Sequence, residues 1–357
     1  MEKISQLHFE CDYSRGAHPD VIRALVDSNM EVSPGYGLDP YCDEARRLIL
    51  EECGLDCGLV AFMVGGTQTN ATVIDALLRQ WQGVVCAEEG HINVHEAGAI
   101  EASGHKVIAL PAFDGKLTSE ALRSYLESYY ADETHEHIVE PGAVYISQPT
   151  ELGTLYSLDE LTRLSEVCRE YSIPLFADGA RLIYALAAPD SDVGLRDMAR
   201  LCDVFYIGGT KAGLLFGEAV VCPAEERLPH FFSQMKRHGA LLAKGRLLGV
   251  QFKALFESGL YREIGSNGIS TASRLREGLL ALGLEEAIAS PTNQLFFHLP
   301  NELIDAISPS VGFSLWGPRG ESSSTVRFVT DWSTTEADVD ALISLIASKA
   351  SAANPPT

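Results

Sequence analysis

The chain has 357 residues, 46% of them hydrophobic and 21% charged, with a formal net charge of −22. That is the balance of a globular protein with a substantial core, and so strong a negative charge disfavours nucleic acid and anionic membrane surfaces as partners. No apolar run approaches the roughly 20 residues that span a bilayer, the N-terminus lacks the basic-then-apolar order of a signal peptide, and eight scattered cysteines without a C-x-x-C pair fit reduced thiols, so a cytoplasmic location is expected.

Short apolar runs near residues 59–63, 84–87, 106–110, 143–147, 174–177, 203–207 and 219–222 are rich in Val, Ile, Phe and Tyr and bounded by Gly, Pro, Asp or Ser, which predicts seven strands. Helical spacing fills intervals at 69–81, 119–130 and 158–171. In the last, Leu158, Leu161, Leu164, Val167 and Cys168 form one stripe, and Ser157 with Glu160 makes a capping box. Strand and helix in alternation predict an α/β fold. Its large domain, residues 1–245, carries a mostly parallel seven-stranded sheet covered by helices on both faces. After residue 245 come helices at 244–256 and 263–282, strands near 294–299, 312–316 and 325–330, and a helix at 335–350. This predicts a smaller C-terminal α+β domain, 246–357. The tail from Ser351 is expected to fray.

Four segments carry residue types with chemistry. The turn Gly65-Gly66-Thr67-Gln68-Thr69-Asn70 follows a strand and opens a helix, where free backbone N–H groups can bind an anion such as phosphate. A glycine turn at this place can equally be structural. Asp178, in Ala177-Asp178-Gly179-Ala180-Arg181, stands at the C-terminal end of a strand, where α/β folds place ligands. It can hold the proton of a pyridinium nitrogen or cap a helix. Lys211 ends the next strand in Gly208-Gly209-Thr210-Lys211-Ala212-Gly213 with no adjacent acid; desolvated near other cations it becomes an amine nucleophile. His91 and His95 lie one helical turn apart beside Glu96, without the zincin glutamate between them. A ring stacked on a flat ligand suits that pattern better than a metal ion, and no metal is predicted. Phosphate anchor, ring stacker, pyridinium partner and Schiff-base lysine together are the parts of a pyridoxal 5′-phosphate (PLP) site.

These motifs resemble those of the low-specificity L-threonine aldolases, PLP-dependent lyases of the aspartate-aminotransferase-like fold. The resemblance runs from about Phe9 to Trp332. It rests on Gly66-Thr67-Gln68-Thr69-Asn70, on His91 before Glu96-Ala97-Gly98, on Asp178-Gly179-Ala180-Arg181, on Lys211 with Gly213 and Gly217 after it, on Tyr36-Gly37-Leu38-Asp39-Pro40 and on Arg327 in an apolar strand. It implies that Lys211 is the Schiff-base lysine, with His91 and Asp178 beside it in catalysis. It implies that Gly66, Thr67, Gln68, His91, Asp178, Arg181, Lys211, Arg237 and Lys244 bind the cofactor. The substrate is expected at Arg181, Arg327, Tyr36 and Glu151, with two arginine forks on its carboxylate. The implied reaction is retro-aldol cleavage of L-threonine or L-allo-threonine to glycine and an aldehyde, with β-elimination or racemisation at the same site as the alternative. The implied assembly is a homodimer or homotetramer with shared active sites, because Arg237 and Lys244 would serve a neighbouring subunit. Two departures stand out. Cys11 precedes Asp12 where the family has serine. Gln148-Pro149-Thr150-Glu151 replaces the family's Thr-His-Asn, whose histidine approaches the substrate hydroxyl. His95 or Glu151 can stand in for that histidine, and the base is left open between His91, His95 and water.

Overall fold

The computed structural model describes residues 6–353. Most of the N-terminal stretch read for a leader, and the tail beyond Ala353, lie outside these residues. Seven strands form the main sheet: β1 (Leu59–Met63), β2 (Gln82–Ala87), β3 (Val107–Leu110), β4 (Glu140–Ser147), β5 (Leu175–Asp178), β6 (Val204–Gly208) and β7 (Glu218–Cys222). Their order is β1-β7-β6-β5-β4-β2-β3. Only β7 runs against its neighbours, β1 and β6. The expected α/β sheet, mostly parallel and seven-stranded, is therefore present.

Both faces of this sheet are covered, and the period of two in each strand sorts the side chains between them. Phe62, Val85, Val144, Ile146, Ala177, Phe205, Ile207 and Val221 enter one core. Their neighbours Ala61, Met63, Val84, Cys86, Tyr145, Phe176, Val204, Tyr206 and Val220 enter the other. Strands buried on both sides read as continuous apolar runs, which is why the sequence exposes them so plainly.

Helix α1 (Gly66–Leu77) starts three residues earlier than its spacing suggested, directly at the glycine turn, and stops before the strand that begins at Gln82. Helix α2 (Leu158–Glu170) has its capping box: Glu160 N donates to Ser157 Oγ, and Ser157 N donates to Glu160 Oε2. Helices α3 (Arg246–Glu257) and α4 (Leu260–Ala281) lead to a second, antiparallel sheet of β8 (Glu285–Ile288), β9 (Gln294–Pro300), β10 (Ser314–Leu315) and β11 (Ser323–Val329), in the order β10-β11-β9-β8. Helix α5 (Glu336–Ala353) packs on it through Val339, Leu342 and Ile346. The beginning of the chain joins this region. Leu7–His8 pairs in parallel with Val311–Gly312, and Phe9 is buried among Leu295, Val326 and Phe328. That excursion delivers Asp12 to the cleft between the two sheets.

Candidate active site

The residues singled out from sequence meet because strand ends are adjacent in the sheet. Ser147 and Asp178 are register partners at the ends of β4 and β5, and Gly208 of β6 is the partner of Glu218 on β7. The turn to α1 follows β1, and His91 follows β2. All of these lie at the C-terminal edge of the parallel strands, where the fold leaves a crevice. The crevice is a cavity of about 330 Å³ lined by Gly65, Gly66, Thr67, His91, Asp178 and Lys211, and also by Arg181, Glu151, Tyr206 and Glu218.

Asp178 is the best-anchored anion. Its Oδ1 accepts from Ala180 N at 3.0 Å. Its Oδ2 accepts from the Tyr145 hydroxyl at 2.7 Å and from Asn70 Nδ2 at 3.0 Å. Burial works against its charge, but the charge of His91 and the surrounding donors outweigh burial and hold the carboxyl below its ordinary range. Asn70 Nδ2 also donates to Glu96 Oε1 at 2.7 Å, and the same oxygen lies 2.7 Å from His91 Nδ1. Burial disfavours a charged His91, yet the Glu96 hydrogen bond and the Asp178 charge raise its pKa overall. The ring is fixed at the cavity wall, 5.5 Å between centroids from His95; His95 in turn faces Trp316.

Among the described residues none hydrogen-bonds Lys211 Nζ. Burial, and then the positive charge of Arg181, lower its pKa from the ordinary lysine value. A lysine in that setting offers a free amine at a pH where an exposed one would be an ammonium ion. Beside it, Glu218 Oε1 accepts from Thr210 Oγ1 at 2.8 Å and Oε2 accepts from Gly209 N at 3.2 Å. Burial pushes the Glu218 carboxyl up to about 8.

The cation side of the cleft is less symmetrical than two free arginine forks. Asp12, fully buried, takes Arg181 Nε at 2.7 Å and Nη2 at 3.1 Å, and Asn293 Nδ2 at 3.0 Å. Burial raises the Asp12 pKa, and the charges of Arg181 and Lys211 pull it below the ordinary value. The side of Arg181 bearing Nε and Nη2 is thus engaged by the chain itself. Arg327, on β11, lies 5.1 Å above the Trp316 ring. Its Nη1 donates to Gln294 Oε1 at 3.1 Å, its two Nη2 contacts are at the long limit of 3.5 Å, and its buried Nε has no partner among the described residues. Two guanidinium groups against one carboxylate leave an excess positive charge here; Arg181 lines the cavity, whereas Arg327 does not line it and stands behind as the like-charged neighbour of Arg181.

Several expected site residues lie elsewhere. Gln68 turns back, accepting from Val64 N at 3.4 Å, and does not line the cavity. Tyr36 is half exposed beneath Lys236, whose Nζ is 4.7 Å from the ring centroid. Arg237 is paired with Asp75, and Lys244 is exposed. Within one chain these three do not reach Lys211. Conversely, the structure adds Asp12, Tyr145, Tyr206, Glu96 and Glu218. An ionisable residue heading an apolar run, as in Glu218-Ala219-Val220-Val221-Cys222, was a signal that could have found Glu218.

An aminotransferase-like α/β sheet whose C-terminal edge gathers a partnerless lysine, an ionised aspartate and paired arginines is the framework of an amino-acid-transforming enzyme. Comparison narrows this. The sequence model of the beta-eliminating lyases matches residues 19–301, and the chain belongs to that family, whose members are lyases. Low specificity L-threonine aldolase of Pseudomonas sp. is 28% identical over 338 residues, covering 93% of this chain and 94% of that one. The solved threonine aldolase of Leishmania major is 40% identical with a TM-score of 0.92, covering 95% and 98%. Aspartate aminotransferase of Thermus thermophilus, at 15% identity and TM-score 0.69, shares the fold.

Proposed function

We propose that this chain cleaves β-hydroxy amino acids of the threonine type into glycine and an aldehyde, with PLP held on Lys211. The single observation that carries this is the pairing, across one cavity, of a Lys211 amine stripped of partners with an Asp178 carboxylate kept ionised. Two relatives spanning nearly the whole chain bear threonine aldolase names.

The residues present fit the cofactor. A Cβ on Gly65 would meet nothing within 4 Å, α1 has no side-chain cap, and its first N–H groups are open to a phosphate. The buried Tyr206 hydroxyl would lie 3.2 Å from a Cβ on Gly66 and also neighbours the Asp178 carboxylate. His91 would cover the ring face, and Asp178 would hold the proton of the ring nitrogen. When bound, PLP supplies the electron sink for a broken Cα bond.

The protein's own part is selection and orientation. Arg327 and the remaining Nη1 of Arg181 would grip the substrate carboxylate, and Asp12 keeps Arg181 from turning away. Fixing the carboxylate would select which Cα bond is broken, and for aldol cleavage that bond is Cα–Cβ. Glu151 would contact the substrate's β-substituent.

Tyr36, Arg237 and Lys244 would serve the cavity of a second copy, making the protein a homodimer or larger. The half-exposed or exposed Tyr36, Leu38 and Phe232 border an apolar groove that such a copy would cover. Product analysis with L-threonine and L-allo-threonine tests the reaction. Glycine with acetaldehyde supports aldol cleavage; ammonia with a keto acid would replace it with β-elimination.

A further inference from the structure

The proposed cleavage needs a group to take the proton of the β-hydroxyl, and the segment Gln148-Pro149-Thr150-Glu151, where the resembled family carries a histidine, has none. Four carboxylates line the cavity: Glu96, Glu151, Asp178 and Glu218. Three of them are committed. Both oxygens of Asp178 accept hydrogen bonds from the chain, as do both of Glu218. Glu96 Oε1 is shared by Asn70 and His91, and its Oε2 is sealed from the cavity. Glu151 differs. Its Oε1 accepts from His91 N at 3.0 Å and from Ser147 Oγ at 2.7 Å, which fixes the carboxylate against the end of β4. Its Oε2 accepts from no described residue and is not sealed.

We propose that Glu151 Oε2 is the base that takes the β-hydroxyl proton during Cα–Cβ cleavage. This rests on the aldol reading above. The hydroxyl O–H bond breaks as Oε2–H forms, and the freed pair becomes the second bond of the aldehyde carbonyl. The Cα–Cβ pair stays with Cα, delocalised into the electron sink, until Cα takes a proton from water. Glu151 returns its own proton to water after the aldehyde leaves and ends as it began.

The rivals are less suited. His91 is drawn toward its charged form by Glu96 and Asp178, which makes it a donor rather than an acceptor. His95 has an exposed ring and does not line the cavity. Burial, with the Asp178 charge adding to it, raises the Glu151 carboxyl toward the pH at which a base works best.

The test compares Glu151→Gln with wild type in the PLP-loaded protein, on two substrates. Glycine has no hydroxyl, so exchange of its α-hydrogen with deuterated water does not use this base. The expected result is a fall in kcat on L-threonine by about 10²–10⁴-fold with glycine exchange and glycine affinity retained. Glu151→Ala, a second variant, should regain threonine cleavage on addition of formate. Three results would overturn the assignment: threonine cleavage near the wild-type rate in Glu151→Gln, loss of cleavage and glycine exchange together, or His95→Ala showing the selective loss instead. If the wild type exchanges glycine but cleaves no β-hydroxy amino acid, the aldol reading itself has failed, and this assignment with it. That failure is recognisable because it appears without any substitution.

Discussion

Asp12 gives the sharpest structural prediction. The Arg181 guanidinium is 15% exposed and the Asp12 carboxylate not at all; two hydrogen bonds of 2.7 and 3.1 Å join them. Asp12→Ala leaves a buried cation with Arg327 as its like-charged neighbour. Removing one partner of such a pair costs about 3–5 kcal/mol, because the remaining charge is desolvated and unopposed. The like charge of Arg327 nearby pushes the expected cost toward the upper end. Arg181→Ala strands Asp12 in the same way, whereas the double substitution removes both charges. Urea unfolding of the four proteins in a double-mutant cycle measures this. The double variant should be destabilised by clearly less than the two singles combined, with a coupling of about 2–3 kcal/mol. Asp12→Ala should also raise KM for threonine, since the Arg181 fork is no longer aimed. Additive singles, or a cost below about 1 kcal/mol for Asp12→Ala, would refute the buried-pair argument.

Three further outcomes follow from the same geometry. Arg327→Leu should raise KM for L-threonine by about 10–100-fold, the worth of a charged hydrogen bond or two, with kcat affected far less; an unchanged KM removes Arg327 from the carboxylate site. Glu218 has a folded pKa of about 8 against an ordinary 4.5, so the folded state holds its proton more tightly and stability is lost as pH rises from about 4.5 through 8. Glu218→Gln should flatten that decline, by on the order of 3 kcal/mol at pH 7, and parallel stability–pH curves would contradict it. Gly179→Ala drives a methyl group onto the Tyr206 carbonyl oxygen, a backbone atom that cannot step aside, and should lower the unfolding midpoint markedly. A midpoint equal to wild type would show that β5 and β6 are not packed as described.

Much of this was legible in the chain. The inner strands of the main sheet show as apolar runs because both of their faces are buried; the edge strand Val107–Leu110, with Ala109 exposed, is buried on one face only. Asp178 and Lys211 stand out as polar residues closing such runs. What the sequence withheld is partnership over distance. Arg181 meets Asp12 across 169 residues, and Asn70 meets Asp178 across 108. No local spacing announces either contact, and so Arg181 read as a free substrate ligand while its fork was half engaged. The short pairing of Leu7–His8 with Val311–Gly312 was equally silent, since two residues carry no period. Tyr36, Arg237 and Lys244 carry motif resemblance, but one chain does not bring them to the cavity.

The central claim is that this cavity is a PLP site built on Lys211. Its most direct test is borohydride reduction of the PLP-loaded protein followed by peptide mass mapping. A pyridoxyl group is expected on the peptide carrying Lys211 and none in Lys211→Ala. A label on another lysine, or none on the wild type, would contradict it.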